Sequence, residues 1–252
     1  MPEFLPGVRI AALQPPTGAQ TGVMNVCLLV ERGRVTVVDA GLPGSAPAIL
    51  AELAAAGLEP AAVRRVIITH HHIDHVGGLA DLVAATGAEV WAHRDDAPTI
   101  EGAVARPGLP PERVAAMLES VPEEQRVAVA ERLRRMREVT PVPVDLRLVG
   151  GEQLDLLGGV RVLHAPGHTA GHLCLLLPAL SLLIAGDLMR LEDGAIRESP
   201  SGYAADAALS LASVRQVAAL DFTAFVGYHG GYVVAGAGAL LAGSLAAPAG
   251  AA

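Results

Sequence analysis

The eleven residues Ile68–Gly78, ITHHHIDHVGG, decide how the rest of the chain is read. Four of the nine histidines, His70, His71, His72 and His75, fall inside this stretch together with Asp74. They follow a β-branched run, Val63–Thr69, that reads as a strand. Side chains alternate along an extended chain, so His70 and His72 project one way off its end. His71 points the other way and takes a structural part. Asp74 and His75 sit on the following turn, and Gly77 and Gly78 let the chain bend into a helix without a Cβ clash. Imidazole nitrogens and a carboxylate at this spacing are donors for a metal cation, and such a cation takes ligands from several directions. The remaining donors must come from distant loops.

Three later apolar runs end in such a donor. His168 follows Val160–His164 in APGHTAGH, Asp187 follows Ser181–Ala185 in LLIAGDL, and His229 follows Thr223–Val226 in GYHGG. Upstream, Val35–Val38 runs into Asp39 in VVDAG. Further strand-like runs lie at Val8–Leu13, Val26–Glu31, Glu89–His93 and Leu173–Leu177, with helical patterns at Ala46–Ala56, Gly78–Ala85 and Ala204–Leu220. Mixed elements in this alternation make a layered α/β fold.

The stretch Arg94–Glu138 differs in composition, holding 17 of the chain's 44 charged residues between Pro98, Pro107, Pro110 and Pro111 on one side and Pro141 and Pro143 on the other. It reads as a helical insertion, about residues 94–143, in a single domain spanning 1–252. One amphipathic helix carries Val114, Met117, Leu118 and Val121, and a second carries Val129, Leu133 and Met136. A solvated hairpin packed on the domain is the plain expectation; a cap over a site or a homodimer contact are the functional ones.

Composition narrows the function. All the basic residues are arginine, 18 of them against 26 acidic residues, and the net charge of −8 argues against a protein that coats nucleic acid. With 52% hydrophobic residues over 252 positions, the chain has ample material for a core and is not disordered. Cys27 in VCLLV and Cys174 in LCLLL read as buried thiols, with no disulfide framework and no CxxC motif. The start, MPEFLPGVRIAAL, lacks the basic and long apolar regions of a secretory leader, so the expected location is the cytoplasm. Mean hydropathy of +0.43 raises the question of a membrane span. Leu173–Gly186 is shorter than the roughly 20 residues a span needs and is broken by Pro178 and Ser181, reading as two buried strands. The tail from Tyr232 is dominated by Ala and Gly and reads as a packed helix with a frayed end. No membrane partner is expected.

Taken in order, Asp39, the HxHxDH set His70, His72, Asp74 and His75, then His168, Asp187 and His229 resemble the pattern of the metallo-β-lactamase superfamily from about Val26 to Gly231. The resemblance implies a four-layer αββα sandwich with metals at one edge. It also implies one metal on His70, His72 and His168, a second on Asp74, His75 and His229, and Asp187 bridging them. Asp39 then orients a ligand histidine, and His172 of the PGHTxGH signature supports its loop. The cofactors implied are two divalent ions, with zinc the default for such donors and iron or manganese the alternatives. Two divalent cations set against Asp74, Asp187 and a bridging hydroxide leave a site of about +1, which favours an anionic transition state. Asp74 is the residue placed to accept or shuttle a proton. His93 and His164 are expected to be structural, while Met189, Arg190, Tyr203 and Tyr228 are candidates for substrate contact.

Departures from particular branches restrict the substrate. Asp187 argues against a true β-lactamase, which usually lacks this carboxylate. Glyoxalase II is similar in motif but adds a helical glutathione-binding domain after the last histidine, where this chain has only Gly230–Ala252, so glutathione thioesters are not the expected substrate. The flavodiiron branch carries Glu at the place of His72, and the nuclease branches add a second domain. The expectation is therefore a hydrolase acting on a small-molecule ester, lactone or thioester through a hydroxide bridging two metal ions. Two rivals are a persulfide dioxygenase, with one iron on two histidines and the aspartate matching Asp187, and a non-catalytic metal-binding protein.

Overall fold

A computed structural model describes residues 3–14, 22–107, 111–135 and 139–245. In the first sheet β1 (Val8–Leu13), β2 (Met24–Glu31), β3 (Arg34–Val38), β4 (Val63–Ile68), β5 (Glu89–His93) and β6 (Leu146–Leu148) lie side by side in chain order. The first three pair antiparallel, and β3 to β6 run parallel. The second half supplies β7 (Gln153–Leu154), β8 (Val160–His164), β9 (Leu173–Leu177), β10 (Leu182–Ile184), a separate hairpin of β11 (Met189–Glu192) and β12 (Ala195–Glu198), then β13 (Ala224–Gly227) and β14 (Gly231–Val233). These form a second sheet in the order β14-β13-β10-β9-β8-β7, in which β10 and β13 are the parallel pair.

The helices are α1 (Ala46–Ala55), α2 (Ile73–Val76), α3 (Leu79–Thr86), α4 (Ala97–Ile100), α5 (Pro111–Glu119), α6 (Glu123–Arg135), α7 (Ala207–Ala218) and α8 (Ala237–Leu245). Three packed cores define the layers. Between the sheets, Val8, Ile10, Cys27, Leu29 and Ile67 meet Val162, Leu173, Leu175, Ile184 and Val226. On the outer face of the first sheet, Val26, Leu28, Val37 and Ile68 meet Ile49, Leu53, Leu79 and Leu82 of α1 and α3. Beyond the second sheet, Cys174, Leu176, Leu183 and Phe225 meet Val214, Val217 and Leu241 of α7 and α8. The result is the αββα sandwich. A strand buried on both faces cannot alternate polar with apolar, which is why β2 reads as an unbroken apolar run: Val26, Cys27, Leu28 and Leu29 are wholly buried, alternately in two different cores.

Most sequence-read strands sit within two residues of their observed ends. The helix expected over Ala204–Leu220 is shorter, because the Asp206 carboxylate caps it by accepting the Leu209 N–H at 2.9 Å, and Ser201–Tyr203 form a separate tight turn. No sequence pattern marks β6, β7, β14 or the β11–β12 hairpin, because their two to four residues each are too few to show a period. In the charged stretch two helices are present, but Val121 lies past the end of α5, and Met136 falls outside the described residues. The flanks of that stretch are built into the first helix–sheet core through Ala97, Ile100, Val142 and Val144. The frayed end expected beyond α8 also lies outside the described residues. Among the described helices, none is long and apolar enough to cross a membrane.

The turn after β4 is stitched to the loop after β3, where Ala40 donates to the His75 carbonyl at 2.8 Å and Gly78 donates to Gly41 at 3.1 Å. A Cβ on Gly78 would stand 2.3 Å from the Ala40 carbonyl oxygen, a backbone atom with little freedom to retreat. Gly78→Ala is expected to destabilise the chain by about 1–3 kcal/mol, as overpacking does. Urea denaturation would show it as a lower midpoint at unchanged slope.

Candidate metal centre

Every donor singled out in the sequence leaves the sandwich at the same edge. His70, His71 and His72 follow β4, Asp74 and His75 lie in α2, His168 and His172 lie between β8 and β9, Asp187 follows β10, and His229 follows β13. Two groups form. In one, ligand atoms of His70, His72 and His168 fall within 4.8 Å of one another; in the other, those of Asp74, His75, Asp187 and His229 do so. His168 Nε2 stands 3.0 Å from His72 Nδ1, and His229 Nε2 stands 3.1 Å from Asp74 Oδ2. The Asp187 carboxylate lies between the groups. Its Oδ2 is 3.5 Å from His168 Nε2 and 4.0 Å from His70 Nε2, and 3.6 Å from His229 Nε2 on the other side. Its Oδ1 is 3.3 Å from His75 Nε2.

His70 Nε2, His75 Nε2 and Asp187 Oδ1 are buried without a hydrogen-bond partner. Leaving three such atoms unsatisfied within a few ångströms costs about 1–3 kcal/mol each. Facing lone pairs of this kind fit divalent cations rather than a hydrogen-bonded core. Burial and the neighbouring histidines hold His70 neutral, burial pushes His72 down to about 3, and burial lowers His168 as well. A neutral imidazole has one lone-pair nitrogen to offer a metal. At the other group the balance reverses: burial opposes charge on His75, but Asp39 and Asp187 outweigh it and raise its pKa well above the usual value. His229 is raised likewise by Asp187 and Asp74 against the effect of burial. Burial also opposes ionisation of Asp187, yet His229 and His75 hold its carboxyl well below the ordinary range. Positive charge is favoured here.

Supporting residues fix these donors. Asp39 sits at φ +68°, an unusual conformation for a residue with a side chain, and its Oδ1 accepts the Thr69 N–H at 2.8 Å while Oδ2 lies 2.9 Å from His75 Nδ1. With a cation taking the place of the second proton, a proton kept on Nδ1 by Asp39 would leave the Nε2 lone pair for the metal. The Thr69 hydroxyl, which the sequence reading passed over, is 2.9 Å from Asp39 Oδ2 and 3.2 Å from Nδ1 of both His70 and His75. His172 Nε2 accepts the Asp187 N–H at 3.0 Å, and burial pushes its pKa down to about 3, keeping it an acceptor. Asn25 of β2 donates to the Gly227 and Tyr228 carbonyls, holding the His229 loop from the opposite sheet.

Two of the four candidates for substrate contact belong to the packed interior instead. Tyr228 is buried, donates its hydroxyl to the Asp74 carbonyl, and has its ring 3.8 Å from that of His75. Met189 is buried in the core under α7. Arg190 pairs with Glu192 at 2.7 Å, and Tyr203 is exposed on the turn before α7. His93 and His164 stack at 4.0 Å, joining the ends of β5 and β8. With Asp95 they make a third group of donors within reach of one another, but rings inclined by only 14° aim their lone pairs side by side rather than at one point. His71 turns away from the two groups, its N–H donating to Asp96.

The family model for the metallo-beta-lactamase superfamily matches residues 21–229. Hydroxyacylglutathione hydrolase of Dechloromonas aromatica (strain RCB) is 34% identical over 167 residues, which is 66% of this chain and 44% of that protein. The aligned region thus spans less than half the length of that relative. A protein named "Probable metallo-hydrolase YflN" from Bacillus subtilis (strain 168) is 24% identical over 241 residues, 89% of this chain and 87% of its own. Among solved structures, a metallo-beta-lactamase family protein from Thermus thermophilus superposes with a TM-score of 0.69 at 26% identity, over 94% of this chain and 77% of that one. A matching family model over most of the chain, on a sandwich that gathers histidines and aspartates at one edge, places this protein in the metallo-β-lactamase superfamily.

Proposed function

We propose that the chain is a binuclear metallo-hydrolase, with zinc as its metal, that cleaves an ester, lactone or thioester bond of a small molecule in the cytoplasm. The observation that carries this reading is the place of Asp187, whose Oδ2 lies within 4.0 Å of His70 and His168 in one group and of His229 in the other. A carboxylate so placed is suited to bridge two cations, with His70, His72 and His168 holding one and Asp74, His75 and His229 the other. When bound, the cations supply Lewis acidity, lowering the pKa of water from ~16 toward ~7 and polarising a carbonyl.

The chain's own residues do the rest. His70, His72 and His168 present neutral nitrogens, and Asp39 sets the tautomer of His75. Asp74 is held ionised: burial raises its pKa, but His75 and His229 lower it further, so its carboxylate can take the proton as water attacks. The thioester within the substrate class is supported by the 34% identical relative, whose name places it on a glutathione thioester.

Elemental analysis of protein purified without added metal and without a histidine tag tests this reading first. Two zinc ions per chain, with turnover in a panel of esters, lactones and thioesters, is the expected result. One iron per chain with oxygen consumption on a thiol persulfide would overturn it in favour of a dioxygenase. A metal-replete protein inert across the panel would overturn it in favour of a binding protein.

A further inference from the structure

We infer that Asp96, just beyond β5, is a positioning residue that sets the separation of metal ligands carried by the two sheets; this rests on the metallo-hydrolase reading above. The carboxylate is almost wholly buried and collects donors from both sides of the sandwich. From the first sheet, the loop after β4 gives the His71 N–H, 2.9 Å from Oδ2, with the His71 ring Nδ1 3.0 Å from the same oxygen. From the second sheet, the loop between β8 and β9 gives the Thr169 hydroxyl, 2.8 Å from Oδ2, and the Gly171 N–H, 2.8 Å from Oδ1. Arg106 donates to the His71 carbonyl on the same loop.

Each partner is next to a donor of the centre. His71 lies between His70 and His72, Thr169 follows His168, and Gly171 precedes His172, which holds the Asp187 N–H. Both ligand groups draw on both sheets, so neither can keep its geometry unless the sheets hold a fixed distance at this edge. His72 Nδ1 and His168 Nε2 face each other at 3.0 Å across that junction, and Asp96 bonds the two loops carrying them. Ligand geometry tolerates little error, since a displacement of about 1 Å already disrupts a reacting site.

The carboxylate cannot be exchanged for its amide. Each oxygen accepts a backbone N–H, from Gly171 on Oδ1 and from His71 on Oδ2, and backbone N–H groups can only donate. An asparagine must turn its own NH2 toward one of them whichever way it is flipped. Gly171 meets the same constraint from the other side: a Cβ there would stand 2.7 Å from Asp96 Oδ1 and 2.8 Å from its backbone nitrogen. Gly171→Ala therefore disturbs the clamp without changing any charge.

The test measures zinc affinity by chelator competition, and the visible spectrum of the cobalt-loaded protein, in wild type, Asp96→Asn, Gly171→Ala and Thr169→Val. Asp96→Asn and Gly171→Ala are expected to weaken zinc binding about 10–100-fold, the usual effect of removing a group that orients ligands. Their cobalt bands should shift even at saturation, which a purely stabilising contact would not cause. Thr169→Val, which removes one hydroxyl bond and conserves shape, is expected to cost about 5-fold. If Asp96→Asn does not fold, Gly171→Ala and Thr169→Val decide the matter. Wild-type affinity and an unshifted spectrum in the folded variants would overturn the role of Asp96 and leave the hydrolase reading standing. A wild type that takes up no divalent cation would overturn both.

Discussion

Asp187→Ala is expected to lower kcat/KM about 10⁴-fold or more on the best substrate of the ester, lactone and thioester panel, and to leave less than two metal ions per chain. The size follows from what the carboxylate holds together. Acidifying water from a pKa of ~16 toward ~7 spans roughly nine units, and losing even half of that gain in nucleophile is worth more than ten-thousand-fold. Asp187 is the carboxylate that reaches both ligand groups, so its removal withdraws a negative charge from each at once. His70→Ala should act similarly on its own group, because His70 Nε2 is fully buried and its ring lies 4.6 Å from His72 and 4.7 Å from His168. Neither variant removes apolar packing from the three cores, so near-ultraviolet circular dichroism should keep its native form. An active, metal-replete Asp187→Ala protein would sink the bridging assignment.

The fold was legible where burial writes a pattern into the chain. Runs such as Val26–Leu29 and Leu173–Leu177 are apolar without alternation because both faces are covered, and their short length between turn residues marks them as central strands. The donors were legible for a related reason: a polar residue ending a buried strand must emerge at the rim of a sheet, and a layered fold brings several such rims together. What could not be read is contact between side chains distant in sequence. Asp96 looked like one charge among many in a charged stretch, and its partners are 25, 73 and 75 residues away. The same rule of an apolar run followed by a donor, applied to Glu89–His93, meets His93, Asp95 and Asp96 within four residues and cannot choose among them. Tyr228 misled in the opposite sense, since proximity to His229 in sequence carried it to the buried side of the centre, under His75. The strands β6, β7 and β14 were invisible because two or three residues have no period.

Stripping the metal is expected to lower the melting temperature by about 15–30 °C. Any ligand that binds the folded chain alone stabilises it by mass action, and an ion present at about a thousand times its dissociation constant contributes ~4 kcal/mol. Two ions give ~8 kcal/mol, and the melting temperature of a chain of this size shifts by about 2–4 °C for each kcal/mol. The structure gives a reason to expect the full effect. Without cations, the centre confines the buried Asp39, Asp187, His70, His75 and His168 with the half-buried Asp74, His72 and His229, and Nε2 of His70, Nε2 of His75 and Oδ1 of Asp187 make no hydrogen bond. Protons on His75 and His229 offset part of the negative charge, yet they cannot satisfy His70, His72 and His168, whose pKa values burial drives down. The ions thus act on an unfavourable cluster that the unfolded chain does not possess. Differential scanning calorimetry before and after chelation, then after re-addition of zinc, measures the difference. A melting temperature indifferent to both steps would mean that this edge of the sandwich holds no ion in the folded state, and would remove the ground for a metal-assisted reaction.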